Sequence, residues 1–227
     1  MAARVIVVLG LKGGSGKSTL AIHLAVAASP GVLLADSDPQ GTALAWAQER
    51  GKSEPTVVAA LPYQLRARIA VEASGLVVVD TAPRLEADVP GLAALGDLIV
   101  IPIRPTMPDL AASQSTVRIA QASGRPFVIV FNAVHYRSPD ATEAHEAMSG
   151  QYEVAPVMLG QRTAYARALA SGRAVSEFEP GGKAAEEIAE LWTYLKQKLQ
   201  GQKPVSESSL NVDLKQRRRN EIAAKRA

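Results

Sequence analysis

Lys12-Gly13-Gly14-Ser15-Gly16-Lys17-Ser18-Thr19 is the stretch whose reading decides the fold. Before it, residues 4–9 (RVIVVL) form a β-branched apolar run that predicts a short buried strand. After it, residues 20–28 (LAIHLAVAA) are an Ala- and Leu-rich helix former. Strand, glycine turn and helix is the context a phosphate-binding loop requires. The glycines let successive backbone N–H groups point inward, and the helix N-terminus adds the positive end of its dipole. In such a loop Lys17 reaches the β- and γ-phosphates and the Ser18 hydroxyl ligates Mg²⁺. Residues Gly13, Gly14, Ser15, Gly16, Lys17, Ser18 and Thr19 are therefore expected to hold a nucleotide.

A second lysine, Lys12, stands at the start of the loop, where an ordinary phosphate loop needs no cation. The pattern K-G-G-x-G-K-[ST] resembles the deviant Walker A loop of the ParA/MinD family of ATPases. The resemblance implies that Lys12 crosses a dimer interface to the phosphates of the other subunit, so that bound ATP holds two subunits face to face.

Further along, residues 31–35 (GVLLA) read as a strand that runs into Asp36-Ser37-Asp38-Pro39-Gln40-Gly41. Carboxylates at the C-terminal end of a parallel strand sit beside the nucleotide in doubly wound folds. D-x-D-P-Q-G is again similar to the ParA pattern, and by that resemblance Asp36 supports Mg²⁺ through a water while Asp38 orients or deprotonates the attacking water. Asp38 ahead of Pro39 also suits a helix N-cap. Residues 75–83 (GLVVVDTAP) form an apolar strand ending in Asp80, the Walker B arrangement, where the carboxylate meets a Mg²⁺-ligated water. D-T-A-P departs mildly from the family's usual D-T-P-P.

Residues 97–103 predict another buried strand, leading into Arg104-Pro105-Thr106-Met107-Pro108-Asp109-Leu110. The resemblance makes this a proline-rich loop at the dimer interface, with Pro105 and Pro108 stiffening it. Residues 126–131 (PFVIVF) form a strand ending at Asn132, which by the same resemblance reaches the adenine edge. No N-K-x-D guanine signature follows, which favours ATP over GTP. Residues 153–157 suggest an edge strand, a helix is expected to open at residues 160–168, and residues 184–199 carry an amphipathic helix with Ile188, Leu191, Trp192, Leu195 and Leu199 on one face, read as packing onto the sheet. Arg162, Arg167, Lys183, Lys196 and Lys198 are candidates for contacts to non-specific double-stranded DNA. Dimerisation would double that surface.

Composition narrows the function classes. The chain has no cysteine, which excludes disulfides, thiolate metal sites and cysteine nucleophiles. No apolar run approaches the roughly 20 residues of a membrane span. Because the given sequence passes from Met1 into a strand and the phosphate loop begins at Lys12, neither a signal peptide nor a preceding helix-turn-helix domain is expected. The overall charge of +3 hides an asymmetry: residues 203–227 carry +4, and the remainder −1. That basic tail lacks aromatics and a continuous apolar stripe, so it reads as an arm for DNA or a partner protein rather than a membrane helix.

The expected architecture is a doubly wound, mostly parallel α/β sheet with helices on both faces over residues 1–200, followed by a flexible basic tail at 201–227. The resemblance, which covers residues 4 to 199, implies an ATP- and Mg²⁺-dependent homodimer that binds DNA without sequence preference. It is expected in the cytoplasm, on the nucleoid, with hydrolysis stimulated by a ParB-like partner. The cargo would be a plasmid or chromosome, or, as the alternative, a protein assembly. A membrane-cycling regulator of the MinD kind is a third reading, disfavoured by the tail.

Overall fold

The computed structural model describes residues 3–72, 75–83 and 89–201. The expectations for the basic tail lie outside these residues. Six strands form one sheet: β1 (Arg4–Val8), β2 (Val32–Ser37), β3 (Thr56–Ala59), β4 (Leu76–Thr81), β5 (Leu98–Ile103) and β6 (Phe127–Phe131). Their order is β3-β2-β4-β1-β5-β6, and every pairing is parallel. The doubly wound expectation is met, and the sheet is wholly parallel.

The strands read as continuous apolar runs because both faces of the sheet are covered. Successive side chains point to opposite faces, and the two cores follow that alternation. Ile6, Val8, Leu34, Val78 and Val100 enter one core with helices α1 (Lys17–Ala28), α2 (Thr42–Arg50), α7 (Thr163–Ala170), α8 (Val175–Phe178) and α9 (Lys183–Gln200). Val5, Val7, Leu33, Val79 and Ile101 enter the other, with α3 (Pro62–Glu72), α4 (Val89–Leu95) and α5 (Met107–Ala122). Each fully buried Leu or Ile contributes about 1.5–3 kcal/mol relative to exposure. Valine, leucine, isoleucine and alanine thus form a core that needs few aromatics.

Sheet order places the site. From β1 the chain winds outward through β2 to β3, returns to β4, then crosses β1 to β5 and β6. The turn after β1 therefore emerges between β4 and β5, at the C-terminal edge where doubly wound sheets bind ligands. Thr81 Oγ1 donates to the Val8 carbonyl at 2.8 Å, and the Leu9 N–H donates to the Val100 carbonyl at 2.9 Å. Both bonds anchor the root of the glycine loop.

Three local expectations change. Residues 153–157 form no strand: Val154 makes an isolated parallel bridge to Ile129, with the Ile129 and Ala155 N–H groups bonding across it. The helix expected from residue 160 begins at Thr163, because Gly160 is tied to the Glu187 carboxylate through its N–H. Pro108 lies in the first turn of α5 rather than in a loop; its missing N–H is one that a helix start leaves unpaired anyway. The apolar face of α9 joins the core on one side of the sheet, as expected, and the helix also packs on α1 and α8. Ile188, Leu191, Leu195 and Leu199 are buried there, while Trp192 is only partly buried at the margin.

Candidate nucleotide-binding site

The glycine loop joins β1 to α1, as its flanks require. Gly14 and Gly16 have φ values of 77° and 91°, conformations that L side chains rarely adopt. Gly16 is also sterically committed: a Cβ there would lie 2.1 Å from Asn132 Nδ2. Helix α1 starts at Lys17 with no side-chain cap and no acidic residue in its first turn, so its N-terminal N–H groups are left for an anion.

The two lysines of the loop differ sharply. Lys17 is buried, and its ammonium donates to the Lys12 carbonyl at 3.2 Å, curling over its own loop. Burial lowers its pKa, against the opposing pull of Asp80 and Asp38. Lys12 points outward, with its side chain 43% exposed and its ammonium 2.6 Å from Asp109 Oδ1 in the first turn of α5. Within one chain, therefore, the lysine that the resemblance sends to a partner subunit is paired in cis.

Asp36 is buried, and its carboxylate is saturated with backbone donors. Oδ1 accepts from the Asp38 N–H at 3.1 Å, and Oδ2 accepts from Ala43 and Leu44 at 3.0 and 3.1 Å. Desolvation raises its pKa, with those three N–H groups opposing. Asp36, not Asp38, caps α2, and Gly41 at the N-cap position adopts φ 64° without a side-chain bond. This corrects the N-cap expectation for Asp38. Instead Asp38 accepts from the Gln40 N–H at 2.9 Å and stands half-buried at the sheet edge, leaving its other oxygen for a ligand.

Asp80 is fully buried, and neither carboxylate oxygen meets the geometry of a hydrogen bond. Burial pushes its pKa up to about 7; the nearby Ser18 hydroxyl and Lys17 favour the charged form, while Asp36 and Asp38 oppose it. An orphaned buried carboxylate needs a positive partner. Among the described residues no group of three or more His, Cys, Asp or Glu could hold a metal alone. Ser18 and Asp80 therefore fit a Mg²⁺ that shares its remaining ligands with phosphate and water.

Asn132 lies where expected but faces the loop. Its Nδ2 donates to the Ser15 carbonyl at 2.7 Å, and its Oδ1 accepts from the Ala133 N–H at 2.9 Å. It buttresses the phosphate loop through these two bonds. Sequence reasoning missed Thr116, whose hydroxyl accepts from the Leu11 N–H at 3.2 Å, and Asp109. Thr106-x-x-Asp109 is a capping-box spacing, a signal that could have marked the carboxylate.

The DNA candidates are mostly engaged within the fold. Arg162 pairs with Glu187 at 2.5 Å, Lys183 with Glu186 at 2.7 Å, and Lys198 with Glu153 at 2.7 Å. Arg167 lies over the Phe178 ring at 5.4 Å, and Lys196 is exposed. Pro105 is half-buried beside Arg104 at the mouth of a cavity of about 1030 Å³ between α5 and α6 (Pro139–Ser149). No described helix is long and apolar enough to cross a membrane.

A wholly parallel sheet, a left-handed glycine turn opening α1 and carboxylates on the two neighbouring strand ends define a P-loop nucleotide-binding protein. Residues 6–211 match the CobQ/CobB/MinD/ParA nucleotide binding domain, and the chain belongs to that family. It is 39% identical over 153 residues to "Maintenance of carboxysome distribution protein A" of Gloeobacter kilaueensis, spanning 64% of this chain and 70% of that protein. The protein of the same name from Halothiobacillus neapolitanus is 28% identical over 207 residues, spanning 83% and 94%. Among solved structures, an ATP complex of McdA from Cyanothece superposes with a TM-score of 0.70 at 17% identity, covering 90% of this chain and 99% of that one. The cell division ATPase MinD of Pyrococcus furiosus gives 0.69 at 16% identity, covering 87% and 99%. The expected relationship to ParA/MinD-type ATPases is confirmed.

Proposed function

We propose that this chain is an ATPase switch that dimerises on ATP and distributes a protein assembly of the carboxysome kind over the nucleoid. The observation that carries the reading is the pair of lysines on one phosphate loop. Lys17 is buried in the phosphate loop, whereas Lys12 is partly exposed and paired with Asp109. One lysine serves its own nucleotide, and the other is available to a facing subunit. The protein-cargo reading leads over plasmid or chromosome partition because the sequence relatives carry the carboxysome-distribution name. Plasmid partition proteins share only the fold, at 16% identity and a TM-score of 0.65 for the one from Borrelia burgdorferi.

In this reading the loop N–H groups and Lys17 hold the ATP phosphates, and Lys12 of a second copy places positive charge where the phosphoryl transfer develops negative charge. Mg²⁺, bound through Ser18 and waters near Asp80, would neutralise the phosphate charge. Asp38 orients the attacking water, and Asp36 fixes the turn that carries Asp38. Hydrolysis removes the shared ligand and releases the dimer. An adaptor protein on the cargo supplies the stimulus, in place of a ParB-like centromere-binding protein.

The test is binding to random double-stranded DNA with ATP, with ADP and without nucleotide, at two salt concentrations. Binding that requires ATP and weakens steeply with salt supports the nucleoid switch. Equal binding in all three states, or none, counts against it.

A further inference from the structure

Lys12 is held inside its own chain by a carboxylate built to receive it. Asp109 sits in the first turn of α5 with its side chain only 12% exposed, and its two oxygens have separate tasks. Oδ1 takes the Lys12 ammonium at 2.6 Å, while Oδ2 accepts from the Thr106 hydroxyl. That hydroxyl in turn accepts the Asp109 N–H at 3.3 Å, which fixes the carboxylate at the helix start. Two turns further along α5, Thr116 holds the Leu11 N–H, so the head of the phosphate loop is tied to this helix at two heights. The Thr106 and Lys12 hydrogen bonds keep Asp109 ionised, with Arg104 adding to the effect.

The same lysine is restrained through its backbone, because Lys17 donates to the Lys12 carbonyl. A phosphate that draws the Lys17 ammonium away removes that bond and leaves the Asp109 pair as the principal hold on Lys12. Gly13 and Gly14 follow directly, so the freed residue has a pliable stem.

We propose that Asp109 is a positioning residue that retains Lys12 in cis, so that dimerisation requires each subunit to exchange this carboxylate for the partner's phosphates. The inference rests on the dimer reading of Lys12. It adds that the chain carries its own competitor for the trans contact, which sets the ATP and protein concentrations at which the dimer forms. A half-exposed ion pair shifts an equilibrium by roughly two- to five-fold. Two pairs break for each dimer, so removing the competitor should tighten dimerisation by about four- to twenty-five-fold.

The experiment is sedimentation velocity on the full chain across a protein dilution series, with saturating ATPγS or with ADP. The variants are Asp109→Asn, Asp109→Glu, Lys12→Gln and the Lys12→Gln/Asp109→Asn double. Thermal unfolding of each confirms a folded chain. Asp109→Asn should lower the dimer dissociation constant in ATPγS by the factor above, and Asp109→Glu should restore it at least in part. Lys12→Gln and the double variant should stay monomeric. Affinity for ATPγS measured on dilute monomer should not change with Asp109→Asn, which separates retention of Lys12 from a general effect on the loop. A wild-type dimer with an unchanged or weaker constant in Asp109→Asn overturns the inference while leaving the switch reading intact. No ATPγS dimer in wild type or Asp109→Asn overturns both.

Discussion

Asp36 and Asp80 are register partners on the adjacent parallel strands β2 and β4, yet their carboxylates meet opposite environments. One accepts three backbone N–H groups, and the other, fully buried, accepts none. The difference follows from what succeeds each strand. Helix α2 begins within reach of Asp36 and offers it N–H groups, whereas Asp80 has Ser18 and Lys17 nearby to favour its charge and Asp36 and Asp38 to oppose it. One carboxylate is tied into the fold and the other is buried without a hydrogen-bond donor.

Asp80→Asn is expected to stabilise the nucleotide-free protein at pH 8. The pKa of Asp80, about 7, lies above its unfolded value near 3.8. The folded state therefore binds the proton more tightly. The stability from that group is full below about pH 4 and is lost as pH rises towards 7. Relief of an unpaired buried charge amounts to about 1–3 kcal/mol, which for a chain of this size is roughly 2–12 °C in Tm. Thermal unfolding from pH 4 to 8 should show the gain at pH 8 and its disappearance at pH 4. The same variant should bind ATP more weakly when Mg²⁺ is present. A lower Tm at pH 8 would contradict the orphan assignment.

Asp36→Ala removes the cap of α2 and the support of the Asp38 turn together. Loss of a capping carboxylate costs about 0.5–2 kcal/mol. Urea unfolding should show that loss with an unchanged slope, and ATP turnover should fall because Asp38 is no longer held. Retention of full turnover would separate the two roles.

Asp38→Ala leaves every observed loop contact of Lys17, Ser15 and Asn132 in place. ATP binding should persist while hydrolysis drops at least a hundred-fold, within the range for a lost general base, and the ATP dimer should accumulate. Phosphate release and sedimentation with ATP check this, and normal hydrolysis would remove Asp38 from the chemistry.

Asn132→Ala discriminates between two roles. The observed bond to the Ser15 carbonyl makes it a support of the phosphate loop, so its loss should weaken ATP, GTP and inorganic pyrophosphate alike, by about two- to ten-fold. Loss confined to ATP, measured by calorimetry, would assign the side chain to the adenine edge instead.

Among the DNA candidates, Arg162→Ala should lower Tm, because Glu187 loses its cation and keeps only the Gly160 N–H and the Tyr165 hydroxyl as donors, with little change in the salt slope of DNA binding. Lys196→Ala should leave Tm within a degree or so; if the residue meets a phosphate, the slope falls by about one. A reversed pattern would return Arg162 to the DNA surface.

Much of this was legible along the chain because it is local. A glycine turn between an apolar strand and a helix, and carboxylates at strand ends, are set within a few residues by backbone sterics and the demands of phosphate. Lys12, Lys17, Asp36, Asp38 and Asp80 could therefore be singled out in order, and the alternation of strands and helices fixed a doubly wound sheet. Tertiary structure decided what depends on partners distant in sequence. Asn132 and Ser15 are 117 residues apart, Thr116 and Leu11 are 105 apart, and Lys12 and Asp109 meet only because β5 lies beside β1. The separate fates of Asp36 and Asp80 and the engagement of Arg162 by Glu187 have the same origin. Burial and hydrogen-bond supply are properties of the assembled neighbourhood, and sequence spacing carries no record of them until the sheet has closed.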